Sequence, residues 1–100
     1  MKIVNEANFE EEIKEGLVLV DFFANWCGPC RMMSVILEDF TDETDAKILK
    51  VDVDESEALA RRFGVMSIPT LILFKDGKQV YKHIGLMQKE ALKKLIKENN

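Results

Sequence analysis

The stretch Leu17-Val18-Leu19-Val20-Asp21-Phe22-Phe23 constrains this chain most: seven residues, apolar throughout except for one carboxylate. A strand with one wet face alternates apolar and polar residues, whereas an unbroken apolar run marks a strand covered on both faces. The run therefore predicts a central strand, which needs neighbours on either side and a layer above and below.

Flanking segments supply both. Lys2 to Asn5 is a short β-prone start, and Asn8 followed by Glu11 has the pattern of an N-cap with its reciprocal partner, opening a helix that buries Phe9 and Ile13 and ends at Gly16. Met33, Ile36, Leu37 and Phe40 recur at helical spacing, predicting a helix from Cys27 to Pro29 through Thr41. Ile48 to Val53 reads as a second core strand, and Ser56 to Phe63 as a short helix stopped by Gly64. Leu71 to Lys75 turns at Asp76-Gly77 into Lys78 to Ile84, an antiparallel hairpin, and a last helix from Gln88 to Glu98 buries Leu92, Leu95 and Ile96. Strand-helix-strand units imply parallel pairing and the hairpin adds antiparallel pairing. The expected class is α/β, a mixed sheet of about five strands with four helices on its two faces.

At 100 residues, the expectation is one domain spanning 1–100. Its longest apolar runs, Leu17 to Val20 and Leu71 to Phe74, are four residues each, far short of the ~18 that mark a membrane span. The amino terminus lacks the apolar stretch of a signal peptide, which predicts a cytoplasmic protein. A net charge of −4 argues against nucleic acid as a ligand, because phosphate binding needs clustered Lys and Arg. Lys89, Lys93, Lys94 and Lys97 lie opposite the apolar stripe of the last helix and read as a solvated face; His83 reads as a surface strand residue without a catalytic part.

Two cysteines, Cys27 and Cys30, are too few for a disulfide framework, and with one histidine the chain lacks the four ligands of a usual structural zinc site. They stand in Trp26-Cys27-Gly28-Pro29-Cys30, directly after the central strand and at the start of a helix. Side chains at i and i+3 of a helical turn have Cβ atoms about 5–6 Å apart, close enough for a disulfide after a small adjustment. Pro29 suits a first turn, where a missing N–H costs nothing. Thiolate at Cys27 is stabilised by the unpaired N–H groups and the positive end of the helix dipole, whereas Cys30 sits one turn in, more buried and less ionised. This asymmetry makes Cys27 the nucleophile and Cys30 the resolving thiol. Two packed structural thiols, or half of a zinc site completed by another chain, are the bland alternatives.

Asp21, if buried, has a raised pKa and fits a proton acceptor for Cys30; a solvated strand-end carboxylate is the alternative. Lys50, in the neighbouring strand, is positioned either to pair with it or to face solvent. Pro69, at the entry to a strand where it cannot donate to a ladder, is a candidate cis residue. Trp26 borders the helix start that a substrate must approach.

These residues resemble the thioredoxin family over essentially the whole chain. The resemblance is carried by Val20-Asp21-Phe22, Trp26-Cys27-Gly28-Pro29-Cys30, Val51-Asp52-Val53-Asp54, Ile68-Pro69-Thr70-Leu71 and Phe74-Lys75-Asp76-Gly77, in the family's order and spacing. It implies the thioredoxin fold, a cis Pro69 beside the cysteines, a buried Asp21 assisting Cys30 and Lys50 close to that carboxyl. It also implies an apolar docking surface of Trp26, Gly28, Pro29, Ser67, Ile68, Ile84 and Gly85. The implied activity is protein-disulfide reduction by reversible Cys27-Cys30 exchange, with no bound cofactor, electrons from a thioredoxin reductase, protein disulfides as substrates and a monomeric state. Three positions depart from the common pattern: Phe23 where Trp is frequent, Val35 where a helix-kinking proline is frequent, and Arg31 in place of Lys. A non-catalytic interaction subunit using the same surface is the rival from another class, and a disulfide oxidant or isomerase the rival within this one.

Overall fold

The structure is a computed structural model that describes residues 1–100. Along the chain run β1 (Lys2–Ile3), α1 (Phe9–Ile13), β2 (Leu17–Phe23), α2 (Gly28–Thr41), β3 (Lys47–Asp52), α3 (Glu57–Arg62), β4 (Thr70–Lys75), β5 (Lys78–Ile84) and α4 (Lys89–Asn99). The five strands form one mixed sheet in the order β1-β3-β2-β4-β5. β2 is central, parallel to β3 and antiparallel to β4, with Asp21 opposite Lys50 on one side and Leu71 on the other. Val18 to Phe23 are all buried, as an unbroken apolar run requires.

Strand alternation sorts the core into two layers. Val18, Val20 and Phe22 face α1 and α3 with Phe9, Ile13 and Leu59, and Phe63 packs its ring 6.0 Å from that of Phe22. Leu19, Ile48, Leu71 and Leu73 face α2 and α4, meeting Met33, Leu37, Phe40, Leu92 and Leu95. By the same alternation Asp21 and Lys50 point to the α2 side. At the hairpin, Asp76 (φ 50°) and Gly77 (φ 84°) both adopt positive φ, the demand of a two-residue type I′ turn. Helix α2 is one run of fourteen residues through the exposed Val35.

Three expectations are corrected. Asn8 does not cap α1 through its side chain: its Oδ1 accepts the Asn5 N–H (2.8 Å) while Asn5 Oδ1 accepts the Ala7 N–H (2.9 Å). A local side-chain turn has taken the acceptor that a capping box needs. The helix ends at Ile13, and Gly16 instead ties the entry of β2 to the hairpin, its N–H donating to Asp76 Oδ1 (2.8 Å) and its carbonyl accepting the Asp76 N–H (3.0 Å). Of the α4 lysines, Lys94 and Lys97 are exposed as expected, but Lys89 and Lys93 are not simply solvated. Lys89 reaches Asp39 (2.8 Å) and Glu43 (2.7 Å), and Lys93 reaches Glu43 (3.0 Å), tying α4 to the end of α2. His83 lies on β5, partly exposed as a surface strand residue, with Nε2 2.9 Å from the Leu86 carbonyl oxygen.

Candidate active site

Ala24 to Cys27 carry the chain from the end of β2 into α2, and the Cys27 N–H donates to the Ala24 carbonyl (3.2 Å). Cys27 is the N-cap, with extended backbone, and its Sγ accepts the Cys30 N–H (3.2 Å); Gly28 and Pro29 occupy the first helical positions. One of the orphan donors of the helix is thus aimed at the sulfur where thiolate charge would sit. The two cysteines form a disulfide with Cα atoms 5.2 Å apart. Their exposures differ less than helix position alone suggests: Cys27 is 5% exposed and Cys30 2%. Cys27 Sγ lies 3.9 Å from the Ile68 carbonyl oxygen, and Cys30 packs with Phe23 and Ala24. What separates the cysteines is the N-cap position of Cys27.

Asp21 is fully buried and neither carboxyl oxygen has a hydrogen-bond partner. Loss of hydration raises its pKa from an ordinary 3.8 to about 7, against the opposing pull of the Lys50 charge. The solvated alternative for Asp21 is thereby excluded. Lys50 is near this carboxyl in register but not bonded to it: its ammonium donates to Ser34 Oγ (2.5 Å) and lies 4.2 Å from the centroid of the Phe23 ring. Phe23, where the family often has Trp, here serves as the face over which that cation rests. Arg31 Nη1 donates to the Asn25 carbonyl (3.3 Å), bracing the turn that carries Trp26.

The Ile68-Pro69 peptide is cis, and Pro69 is buried beside the disulfide. Its carbonyl accepts the Gly85 N–H (2.8 Å), which brings Ile84 and Gly85 to the same end of the sheet as Ser67 and Ile68. Trp26 (70% exposed) and Ile84 (63%) are among several large apolar side chains left in water; Gly28, Pro29 and Ser67 are exposed, and Ile68 and Gly85 half-buried. Two contributors escaped the sequence reading. Asp54 accepts the Trp26 Nε1–H (2.9 Å) and so fixes the indole, and Ser34 holds Lys50. A signal for Ser34 existed, since it lies four residues after Cys30 and so on the same face of α2.

No helix is long and apolar enough to cross a membrane, and no group of three or more His, Cys, Asp or Glu side chains is placed to hold a metal ion. The family model described as Thioredoxin matches residues 1–98. The chain belongs to the thioredoxin family. It is similar to the thioredoxin of Chlamydia muridarum, 53% identical over 99% of this chain and 98% of that one. It is also similar to the thioredoxin of Chlamydia trachomatis serovar D, 50% identical over 99% and 98% respectively. A solved structure, a mutant thioredoxin from Halobacterium salinarum NRC-1, superposes with a TM-score of 0.90 at 42% identity, covering 97% of this chain and 88% of the other. As a thioredoxin-family member with the Cys27-Cys30 disulfide formed, the protein is a thiol-disulfide oxidoreductase, and the non-catalytic subunit is not favoured. Family membership implies thioredoxin reductase and protein disulfides as the general classes of partner.

Proposed function

We propose that the chain acts as a single-domain, monomeric protein-disulfide reductase of the cytoplasm, taking electrons from a thioredoxin reductase and passing them to protein disulfides. The observation that carries this reading is the placement of Cys27 at the N-cap of α2, where its sulfur accepts a backbone N–H. Once reduced, Cys27 thiolate attacks a substrate disulfide: a Cys27–substrate S–S bond forms and the first substrate sulfur leaves as thiolate. Cys30 then gives its proton to the Asp21 carboxylate and attacks Cys27 sulfur. The Cys27-Cys30 bond forms, the Cys27–substrate bond breaks, and the second substrate sulfur leaves with its electron pair. The protein is oxidised by two electrons and one substrate disulfide becomes two thiols.

Asp21 suits this role because its carboxyl titrates near neutrality and has no competing hydrogen bond. Trp26, Gly28, Pro29, Ser67, Ile68, Ile84 and Gly85 form the docking face, with Pro69 supporting it beside Cys27. Few charges and much accessible apolar surface suit a protein that accepts many sequences. Coupling to NADPH and thioredoxin reductase with insulin as substrate tests the assignment: turnover should vanish in Cys27→Ser, and Cys30→Ser should accumulate a mixed disulfide visible by intact mass. Turnover surviving in Cys27→Ser would remove it as nucleophile, and the absence of an adduct would remove Cys30 as the resolving thiol. A redox potential near that of thioredoxin itself, the reference case at about −270 mV, supports reductase over oxidant, for which values near −120 mV are typical.

A further inference from the structure

On the sheet face covered by α2, a buried carboxyl and an ammonium occupy paired register positions, Asp21 and Lys50, and yet do not bond. A carboxylate is the stronger acceptor for an ammonium than a neutral hydroxyl. Lys50 nevertheless donates its hydrogen bond to Ser34 Oγ (2.5 Å) and rests 4.2 Å from the Phe23 ring centroid. The hydroxyl and the ring face together offer the half-buried cation a place to sit that is not Asp21. Beside it opens a cleft of about 150 Å³ whose lining includes Cys30, Ser34, Lys50 and Phe23. Ser34 thus stands on the same helix face as the resolving cysteine and beside the only charge in register with Asp21.

We propose that Ser34 is a positioning residue of this site: its hydroxyl holds the Lys50 ammonium over Phe23 beside the cleft at Cys30, and so leaves the Asp21 carboxyl unpaired to receive the Cys30 proton. The proposal rests on the reading of Asp21 as proton acceptor given above. Without the hydroxyl, Lys50 loses its one side-chain acceptor, and the carboxyl in register with it, which already feels its charge, is Asp21. An ammonium paired there stabilises the carboxylate and weakens its hold on a proton. Other charges do not substitute. Arg31 lines the same cleft but donates to the Asn25 carbonyl, and Asp52, at the end of β3, is held by Asn25 and by the Asp54 and Glu55 N–H groups. From β4 the register neighbour of Asp21 is Leu71, and the α2 side chains packed with Leu71 on this side of the sheet are Met33 and Leu37, all uncharged.

The test is a carbon-13 NMR titration of the Asp21 carboxyl in the oxidised protein, for wild type, Ser34→Ala and Ser34→Thr, each with Lys50 and with Lys50→Met. Resolution of a Cys27 mixed disulfide is followed against pH in the same variants. Alanine favours helix at this position, so the fold of α2 is preserved. In Ser34→Ala the Asp21 midpoint should fall by about one pH unit, a tenfold loss of proton affinity. Ser34→Thr, which restores a hydroxyl, should return it, and in Lys50→Met the Ser34 change should have no effect. An unchanged midpoint in Ser34→Ala, or a shift that persists without the Lys50 ammonium, overturns the positioning role. A midpoint that falls while the pH profile of resolution stays in place supports Ser34 as the holder of Lys50 and instead overturns Asp21 as proton acceptor.

Discussion

Replacing Asp21 with Asn removes the one ionisable group buried without a partner, and the consequence for stability can be worked out with its sign. The folded carboxyl titrates at about 7 rather than 3.8, so between those values the native state holds a proton that the unfolded chain releases. Stability therefore falls as pH rises through this window, and above about pH 7 the full penalty is present. About three pH units at about 1.4 kcal/mol each give a penalty of about 4 kcal/mol, of the order expected for a buried unpaired charge. In Asp21→Asn this contribution to the slope disappears. Urea unfolding of the oxidised proteins should find the two nearly equal at pH 4, where the wild-type carboxyl is neutral, and the variant more stable by up to about 4 kcal/mol at pH 8. Other carboxylates, including Glu12 and Glu43 with pKa values lowered by lysine hydrogen bonds, titrate alike in both proteins and cancel in the difference. Mixed-disulfide resolution by Cys30 should slow in the same variant. Parallel stability curves from pH 4 to pH 8 would refute the burial argument, and equal resolution rates would refute the proton-transfer role.

Two packing predictions separate the strong contacts of the fold from the weak ones. Phe22 is fully buried against the Phe63 ring, so Phe22→Ala should cost about 3–5 kcal/mol in urea unfolding, and a loss below about 1.5 kcal/mol would mean that α1 and α3 collapse into the space. Lys89 joins Asp39 and Glu43 at the surface, so Lys89→Ala should lower the melting temperature only slightly, and that difference should fade in about 1 M salt, where the screening length is about 3 Å; a loss that salt leaves intact would point to packing instead.

Legibility in the sequence tracked the physical range of each interaction. The strands and the two core layers were readable because burial on a sheet or helix follows recognisable patterns, and the apolar runs at Leu17–Phe23, broken only by Asp21, and at Leu71–Phe74 mark strands covered on both faces. The Cys27-Cys30 pair was readable for the same reason, since the spacing of a helical turn sets the distance between the cysteines. Asn8 failed because the Asn5 N–H, three residues back, takes the side-chain oxygen that a helical N–H needs for capping, and propensity does not say which donor wins. The ion pairs of Lys89 and Lys93 escaped because their partners, Asp39 on α2 and Glu43 in the turn after it, lie about fifty residues away in the chain.

Asp21 and Lys50 sit between these cases. Alternation assigns both to the α2 face and the register sets them side by side, so the backbone predicts an ion pair there. The choice of partner is made at the far end of a flexible side chain, where Ser34 and Phe23 compete with the carboxyl. If that competition is what keeps Asp21 neutral enough to hold a proton near pH 7, the chemistry of this redox pair depends on the tip of Lys50, outside the motif that announces it. A substitution one helical turn beyond the second cysteine then changes the pH at which the disulfide forms, while the Trp26-to-Cys30 segment stays the same.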